Sequence, residues 1–247
     1  MTEAILFDFG QTLVDSAEGF RTAERDAQRK LFAQLSDLAW DEFIDLYRRK
    51  RKALHDQSQI SRVDLWRIVC EGFDRTPDME SLVRWEREYW QTVNQQTVPF
   101  PEAVQVLDRL RGEYRLALIS NTQGQVEGEG HRLKEFPELM RFFEVIIVSG
   151  ENGINAKPDP QPFRLCLEKL VIKAQDAVYV GDDYRIDVCG ASGVGIQPVW
   201  LKHHTVKRNW PAVDDTVPVI MSLDPLLSLA TILPSPDCLV TPPEKRA

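Results

Sequence analysis

The chain has 247 residues, of which 43% are hydrophobic and 28% are charged, and its formal net charge is −8 at pH 7. This length allows one large domain or two modest ones, and the negative charge argues against bulk attraction to nucleic acid or anionic membranes. No apolar run approaches the roughly 20 residues that span a bilayer, and the first residues lack the pattern of a signal peptide. We therefore expect a cytoplasmic protein that binds neither nucleic acid nor membrane.

The four cysteines are widely spaced and form no C-x-x-C motif; they are Cys70, Cys166, Cys189 and Cys238. This spacing favours buried, small apolar side chains in a reducing compartment over disulfides or zinc ligands.

Six short apolar runs predict strands, and helical patterns separate most of them. The first is Ala4–Phe7, which leads directly into Asp8. The others are residues 116–120, 145–148, 178–180, 198–201 and 219–221, and helices are predicted over residues 102–111 and 163–170. Strands that alternate with helices predict an α/β fold with a doubly wound parallel sheet.

A long helical segment interrupts this alternation. Between the first two predicted strands lie about a hundred residues without a convincing strand, and residues 16–97 show amphipathic helical patterns instead. We predict a helical domain inserted into the core, with linkers at Asp15–Ser16 and at residues 98–101, where two prolines occur. The core would then comprise residues 1–15 and 98–233. The proline-rich residues 234–247 are expected to be disordered.

Polar residues follow four of the predicted strands. In open α/β sheets, ligands bind in the crevice outside the carboxyl ends of the strands. Each of these polar groups, taken alone, is compatible with an ordinary turn or surface position. Together they predict acidic groups that converge on one crevice, as a hard divalent cation requires. In chain order they are Asp8; Ser120 and Asn121; Lys157; and Asp182 and Asp183 with Asp187.

This order resembles the four motifs of the haloacid dehalogenase-like hydrolase superfamily, from about residue 4 to residue 233. The string Lys157-Pro158-Asp159-Pro160, followed by Phe163, is close to the usual form of the third motif. The resemblance implies a Rossmann-like core with an α-helical cap inserted between the first and second motifs. Residues 16–97 would be this cap.

The resemblance implies that Asp8 is both the nucleophile and a ligand of Mg²⁺. An ionised aspartate can attack phosphorus to give an aspartyl-phosphate, and a magnesium ion offsets the repulsion between the two anions. The carbonyl oxygen of Gly10 and the side chain of Asp182 would be further ligands. Asp183 and Asp187 would lie beside or just behind them.

Four further residues would contact the phosphoryl group or orient those that do. By the same resemblance, Ser120 and Lys157 hold the phosphoryl oxygens and stabilise the charge of the transition state. Thr12 and Asn121 would orient the same groups. The expected partner is a small phosphorylated substrate. The sequence singles out neither that substrate nor an oligomeric state.

The chain departs from the family pattern after Asp8. Family phosphatases usually carry a second aspartate two positions later as general acid and base, and this chain has Gly10 there, followed by Gln11 in place of the usual glycine. Acid–base catalysis contributes about 10²–10⁴-fold, and glycine cannot transfer a proton.

Several reactions therefore stay open. A magnesium-dependent phosphatase of small metabolites is favoured. The alternatives are a metal-independent 2-haloacid dehalogenase and a catalytically weak protein that binds a phosphorylated ligand or a protein partner. A phosphonatase, which in this superfamily uses a cap lysine, is a further alternative.

Overall fold

The computed structural model describes residues 1–35, 38–56, 61–122, 131–202 and 213–233. Eight strands lie in these ranges: β1 (Ala4–Phe7), β2 (Val14–Asp15), β3 (Val98–Pro99), β4 (Arg115–Asn121), β5 (Val145–Ser149), β6 (Ala177–Gly181), β7 (Gln197–Leu201) and β8 (Val219–Ile220). Six of them form one sheet in the order β5-β4-β1-β6-β7-β8, and every neighbouring pair is parallel. The predicted parallel α/β sheet is confirmed.

Nine α-helices lie in the described ranges: α1 (Ala17–Ala33), α2 (Trp40–Asp56), α3 (Arg62–Glu71), α4 (Met79–Gln95), α5 (Ala103–Leu110), α6 (Pro137–Met140), α7 (Pro160–Leu170), α8 (Cys189–Ser192) and α9 (Leu229–Ile232). The start of α7 follows from its sequence. Asp159 accepts a hydrogen bond from the Gln161 amide, and Pro160 occupies the first helical position.

Strand β1 is buried on both faces of the sheet. Ile5 and Phe7 belong to the hydrophobic cluster that includes α5, whereas Ala4 and Leu6 belong to the cluster that includes α7. Side chains alternate between the faces of a strand, so helices on both faces require a continuous apolar run. This arrangement is the doubly wound core.

Helices α1 to α4 share a separate hydrophobic cluster. Leu31, Phe43 and Trp66 are among its buried members. Helices α1 and α4 pack closely at Gly19, where an added Cβ would lie 2.8 Å from the carbonyl oxygen of Val93. These helices occupy the segment in which the sequence predicts an inserted helical domain.

The two linkers of this helical segment pair with each other. Strands β2 and β3 form a two-stranded antiparallel ribbon in which Val14 pairs with Pro99 and Asp15 with Val98. The prediction that no strand lies between β1 and β4 is therefore wrong. Runs of two residues are too short to show the period-2 pattern of a strand.

Other expectations have mixed outcomes. Cys70 and Cys166 are buried as predicted, whereas Cys189 is exposed, contrary to prediction. Cys238 and the whole of residues 234–247 lie outside the described residues. None of the helices described is long and apolar enough to cross a membrane.

Candidate active site

Three aspartates meet at the carboxyl ends of two adjacent strands. Asp8 follows β1 and Asp182 follows β6, while Asp187 lies in a single π-helical turn, Tyr184–Val188. Each contributes a carboxylate oxygen, and these oxygens all lie within 4.8 Å of one another. Such a set of hard oxygen donors fits a magnesium ion. The structure thus brings together Asp8, Asp182 and Asp187, three of the acidic residues that the sequence predicts to converge.

Lys157 supplies a positive charge inside this group of carboxylates. Its Nζ donates hydrogen bonds to Asp8 Oδ1 at 2.7 Å, to Asp187 Oδ1 at 2.8 Å and to Tyr179 Oη at 2.7 Å. Burial alone would lower the pKa of this amine, but the neighbouring carboxylates of Asp187 and Asp8 outweigh burial and raise it above its ordinary value. Lys157 is therefore an ammonium ion at neutral pH, in direct contact with Asp8.

Both carboxylate oxygens of Asp187 already have partners. Oδ1 accepts from Lys157 and from the Tyr179 hydroxyl at 3.3 Å, and Oδ2 accepts from the backbone amide of Asp183 at 3.0 Å. Asp187 also presses against β6, because an added Cβ at Gly181 would lie 2.4 Å from its side chain. A buried carboxylate with these bonds is suited to holding Lys157 in place.

Hydrogen bonds hold Asp183 to the π-helical turn and Asp182 to β7. Asp183 Oδ1 accepts from the backbone amide of Ile186 at 3.0 Å, so Asp183 caps the π-helical turn that carries Asp187. The carbonyl oxygen of Asp182 accepts from Trp200 Nε1 at 2.9 Å. Both residues that follow the carboxyl end of β6 are thereby held by hydrogen bonds.

Asn121 contacts the backbone of Lys157. Its Oδ1 accepts from the Lys157 amide at 2.8 Å and from the Ser149 hydroxyl at 2.7 Å, while its Nδ2 donates to the Lys157 carbonyl at 3.0 Å. Two of these bonds join the end of β4 to the loop that carries Lys157, and the third joins β5 to β4. Asn121 therefore orients Lys157 through the main chain.

The turn after Asp8 has an unusual backbone at Gln11. Gln11 has φ = 62°, whereas Gly10 is not among the residues with positive φ. The side-chain amide of Gln11 is oriented so that its oxygen faces two backbone donors. This side-chain oxygen accepts hydrogen bonds from the backbone amides of Ser16 and Ala17 at 2.8 and 3.0 Å. The side chain thus caps the start of α1. Thr12 Oγ1 donates to Asp8 Oδ2 at 3.4 Å, a long hydrogen bond that places Thr12 beside the aspartate.

Two residues of the site have no signature in the sequence. His131 Nε2 lies 3.2 Å from Ser120 Oγ, and the Arg132 Nη1 donates to Ser16 Oγ at 2.8 Å and to Thr97 Oγ1 at 3.2 Å. Both side chains are buried. A polar pair at the start of a short 3₁₀ turn is ordinarily exposed, so only the tertiary contacts reveal these residues.

Two curated phosphatases align with most of the chain. The N-acylneuraminate-9-phosphatase of Homo sapiens is 30% identical over 96% of this chain and 96% of its own length. The glyceraldehyde 3-phosphate phosphatase of Methanopyrus kandleri is 26% identical over 88% of this chain and 91% of its own length.

Solved structures with the same fold include a phosphatase and a dehalogenase. A HAD phosphatase from Thermococcus onnurineus is 24% identical with a TM-score of 0.65, and a 2-haloacid dehalogenase from Pseudomonas syringae is 23% identical with a TM-score of 0.62. Each comparison covers 94% of this chain and 99% of the other, and at this identity it shows the fold alone. The sequence model of haloacid dehalogenase-like hydrolases matches residues 2–195. The chain therefore belongs to the haloacid dehalogenase-like hydrolase family.

Proposed function

We propose that this protein is a magnesium-dependent phosphatase of small phosphorylated metabolites that works through an aspartyl-phosphate at Asp8. The observation that carries the proposal is that Asp8 contacts a buried ammonium group at the end of the sheet and has oxygens of two further carboxylates within 4.8 Å. A site with both an anionic nucleophile and fixed positive charge suits attack on a phosphate ester. The phosphatase names of its two curated relatives support the same choice.

In the first step, a carboxylate oxygen of Asp8 attacks phosphorus, and the bond between phosphorus and the leaving oxygen breaks. The leaving oxygen takes its proton from water, since Gly10 supplies none. In the second step, water attacks the phosphorus of the aspartyl-phosphate, which releases inorganic phosphate and restores Asp8. Lys157 stays protonated throughout and stabilises the charge on Asp8 and on the phosphoryl oxygens.

The metal would be held by Asp8, by Asp182 and by the carbonyl oxygen of Gly10. Asp183 and Asp187 would support this set through the hydrogen bonds of the π-helical turn. When bound, Mg²⁺ offsets the repulsion between the aspartate and the incoming phosphate and acts as a Lewis acid. The oxygen donors present fit this ion.

Ser120 and Lys157 would hold the phosphoryl oxygens. Thr12 would orient Asp8, and the side chain of Asn121 would orient Lys157 through hydrogen bonds to the Lys157 backbone. Residues 1–15 and 98–233 would form the catalytic core, and residues 16–97 a cap that contributes to substrate choice. The substrate is a small phosphate ester.

The proposal is tested by hydrolysis of para-nitrophenyl phosphate by the purified protein, with magnesium and with excess chelator. We expect activity that requires the metal and disappears in Asp8→Asn, a nearly isosteric change that removes the nucleophile. A panel of phosphorylated metabolites would then identify the substrate class.

The same preparation distinguishes the alternatives. A dehalogenase needs no metal, because Asp8 then attacks carbon and not a charged phosphoryl group. The halide that it expels also requires no proton. Metal-independent halide release from a 2-haloacid, without phosphatase activity, would overturn our proposal and show that the protein is a dehalogenase. Binding of phosphate esters without turnover of either substrate class would instead indicate a ligand-binding protein.

A further inference from the structure

His131 connects two loops of the active site. The ring is buried, with 8% of the residue exposed, and it packs edge-on against Phe9, with 6.3 Å between ring centroids. Its Nε2 lies 3.2 Å from Ser120 Oγ and 3.2 Å from the carbonyl oxygen of Asn121. The ring therefore contacts the residue after Asp8 and both polar residues at the end of β4.

The hydrogen bonds of the ring determine its tautomer. Nδ1 accepts from the backbone amide of Leu133 at 3.2 Å, so Nδ1 carries no proton. The carbonyl oxygen of Asn121 can only accept, so Nε2 must be the protonated nitrogen. Burial, together with the charges of Arg132 and Lys157, lowers the pKa of His131 to about 4, which keeps the ring neutral at physiological pH.

This tautomer restricts what the Ser120 hydroxyl can do. A hydroxyl has one proton to donate and two lone pairs that accept. Because Nε2–H points at Oγ and at the neighbouring carbonyl, Oγ faces the ring as an acceptor. Its own proton then remains available for another oxygen in the crevice.

We propose that His131 is a positioning residue that fixes the Ser120 hydroxyl as a hydrogen-bond donor to the phosphoryl group. This inference rests on the proposed phosphatase function, in which Ser120 holds a phosphoryl oxygen. Without the ring, the hydroxyl is free to turn its proton away from the substrate, for example toward the Asn121 carbonyl.

The same geometry argues against His131 as a substitute for the missing general acid and base. As a base it would need a free lone pair, and the lone pair on Nδ1 is occupied by the Leu133 amide. As an acid it would need to be protonated, and its lowered pKa disfavours that form. Its effect should therefore be the same for good and for poor leaving groups.

The test compares His131→Leu with His131→Gln, in which the amide nitrogen takes the place of Nε2–H. We expect His131→Leu to lower kcat/KM for para-nitrophenyl phosphate by about 10- to 150-fold, the range for losing one hydrogen bond to a charged group, and His131→Gln to restore most of this activity. In a Ser120→Ala background, His131→Leu should have little further effect. The dependence of rate on leaving-group pKa should not change.

Leu133→Ala is the matched control, because it removes a buried side chain from the same turn and leaves the His131 hydrogen bonds in place. An equal loss of kcat/KM in this control would overturn the inference in favour of packing damage. Equal losses of kcat/KM in His131→Leu and His131→Gln would also overturn the inference. So would a double variant in which the losses of kcat/KM from His131→Leu and Ser120→Ala simply multiply. A loss of activity confined to substrates with poor leaving groups would instead indicate that His131 transfers a proton.

A wild-type protein without phosphatase activity would overturn the proposed function and this inference together, whereas an active wild type with a fully active His131→Leu would overturn only the inference.

Discussion

The positive charge of Lys157 compensates the negative charges of two largely buried carboxylates. Its side chain is 1% exposed, and those of Asp187 and Asp8 are 2% and 12% exposed. Removing one partner of a buried ion pair leaves an uncompensated charge and costs about 3–5 kcal/mol. The cost here lies toward the lower end, because Asp8 borders the crevice.

We therefore expect Lys157→Met to lower the free energy of unfolding by about 3 kcal/mol and to abolish phosphatase activity. Adding Asp187→Asn should recover part of the stability and none of the activity, since it removes a buried charge but leaves Asp8 without its ammonium partner. Urea denaturation of the two variants measures this difference. No recovery in the double variant would mean that lost packing, and not charge, causes the destabilisation.

Gly10 is the residue at which a general acid is missing. Its backbone does not need glycine, because the left-handed conformation in this turn belongs to Gln11. Gly10→Asp should therefore fold, and it should raise activity on alkyl phosphates more than on aryl phosphates by protonating the leaving oxygen. The gain is bounded by about 10²–10⁴-fold. Kinetics across leaving groups of different pKa, after circular dichroism confirms folding, measure this effect, and Gly10→Asn is the matched variant that cannot supply the proton.

His131 should make the fold sensitive to acid. Its pKa is lowered from 6.5 to about 4 in the folded protein, so between these pH values the unfolded chain binds a proton that the folded chain does not. Stability therefore falls as the pH drops through this window, by up to about 3 kcal/mol from this residue. The loss should be smaller in His131→Leu. Parallel urea titrations at pH 7 and pH 4.5 compare the two proteins, and identical losses would contradict the lowered pKa.

At the scale of elements, the linkers of the helical segment are joined by one buried arginine. Arg132 donates to Ser16 before α1 and to Thr97 after α4, and its guanidinium lies 5.1 Å from the Phe9 ring and 5.5 Å from the Phe20 ring. Burial lowers its pKa to about 10, and its Nε and Nη2 have no hydrogen-bond partner among the residues that the structure describes. The contacts fix the linkers, while the buried charge weakens the fold.

Arg132→Met separates these two effects. Replacing a poorly compensated buried charge by an apolar side chain of similar length is often neutral or stabilising, so we expect the free energy of unfolding to stay within about 1 kcal/mol of wild type or to rise. Hydrogen exchange at the paired amides of β2 and β3 should become faster because both linkers lose an anchor. A large loss of stability would show that the hydrogen bonds of Arg132 outweigh its desolvation.

The sequence predicts the elements that depend on local pattern. The runs 4–7 and 178–180 are continuously apolar because both faces of the sheet are covered, and such runs can be recognised without a structure. The β2–β3 ribbon, by contrast, depends on pairing between residues far apart in the chain. Arg132 depends likewise on contacts with Ser16 and Thr97, and no local pattern marks them. The prediction therefore succeeds for the parallel sheet and misses the pairing of the two linkers with each other.

At the scale of the whole molecule, the site concentrates negative charge that a cation would relieve. Ligands that bind only the folded state stabilise it, by about 2.7 kcal/mol at one hundred times the dissociation constant. We expect Mg²⁺ to raise the Tm of the wild-type protein and to have a much smaller effect on Asp182→Asn. Differential scanning calorimetry with magnesium or with sodium at matched ionic strength tests this without reference to activity. Equal shifts in both proteins would place the bound cation elsewhere.

The pairing of β2 with β3 also has a consequence for how the helical segment could be removed or replaced by protein engineering. Because Asp15 lies opposite Val98 in an antiparallel pair, the two ends of the helical segment are one strand spacing apart. A two-residue Asn-Gly turn can span that distance in a hairpin. We therefore expect that the helical segment can be exchanged as a cassette without any change in the order of the six-stranded sheet. Arg132 would have to be replaced at the same time, since the excision removes both Ser16 and Thr97.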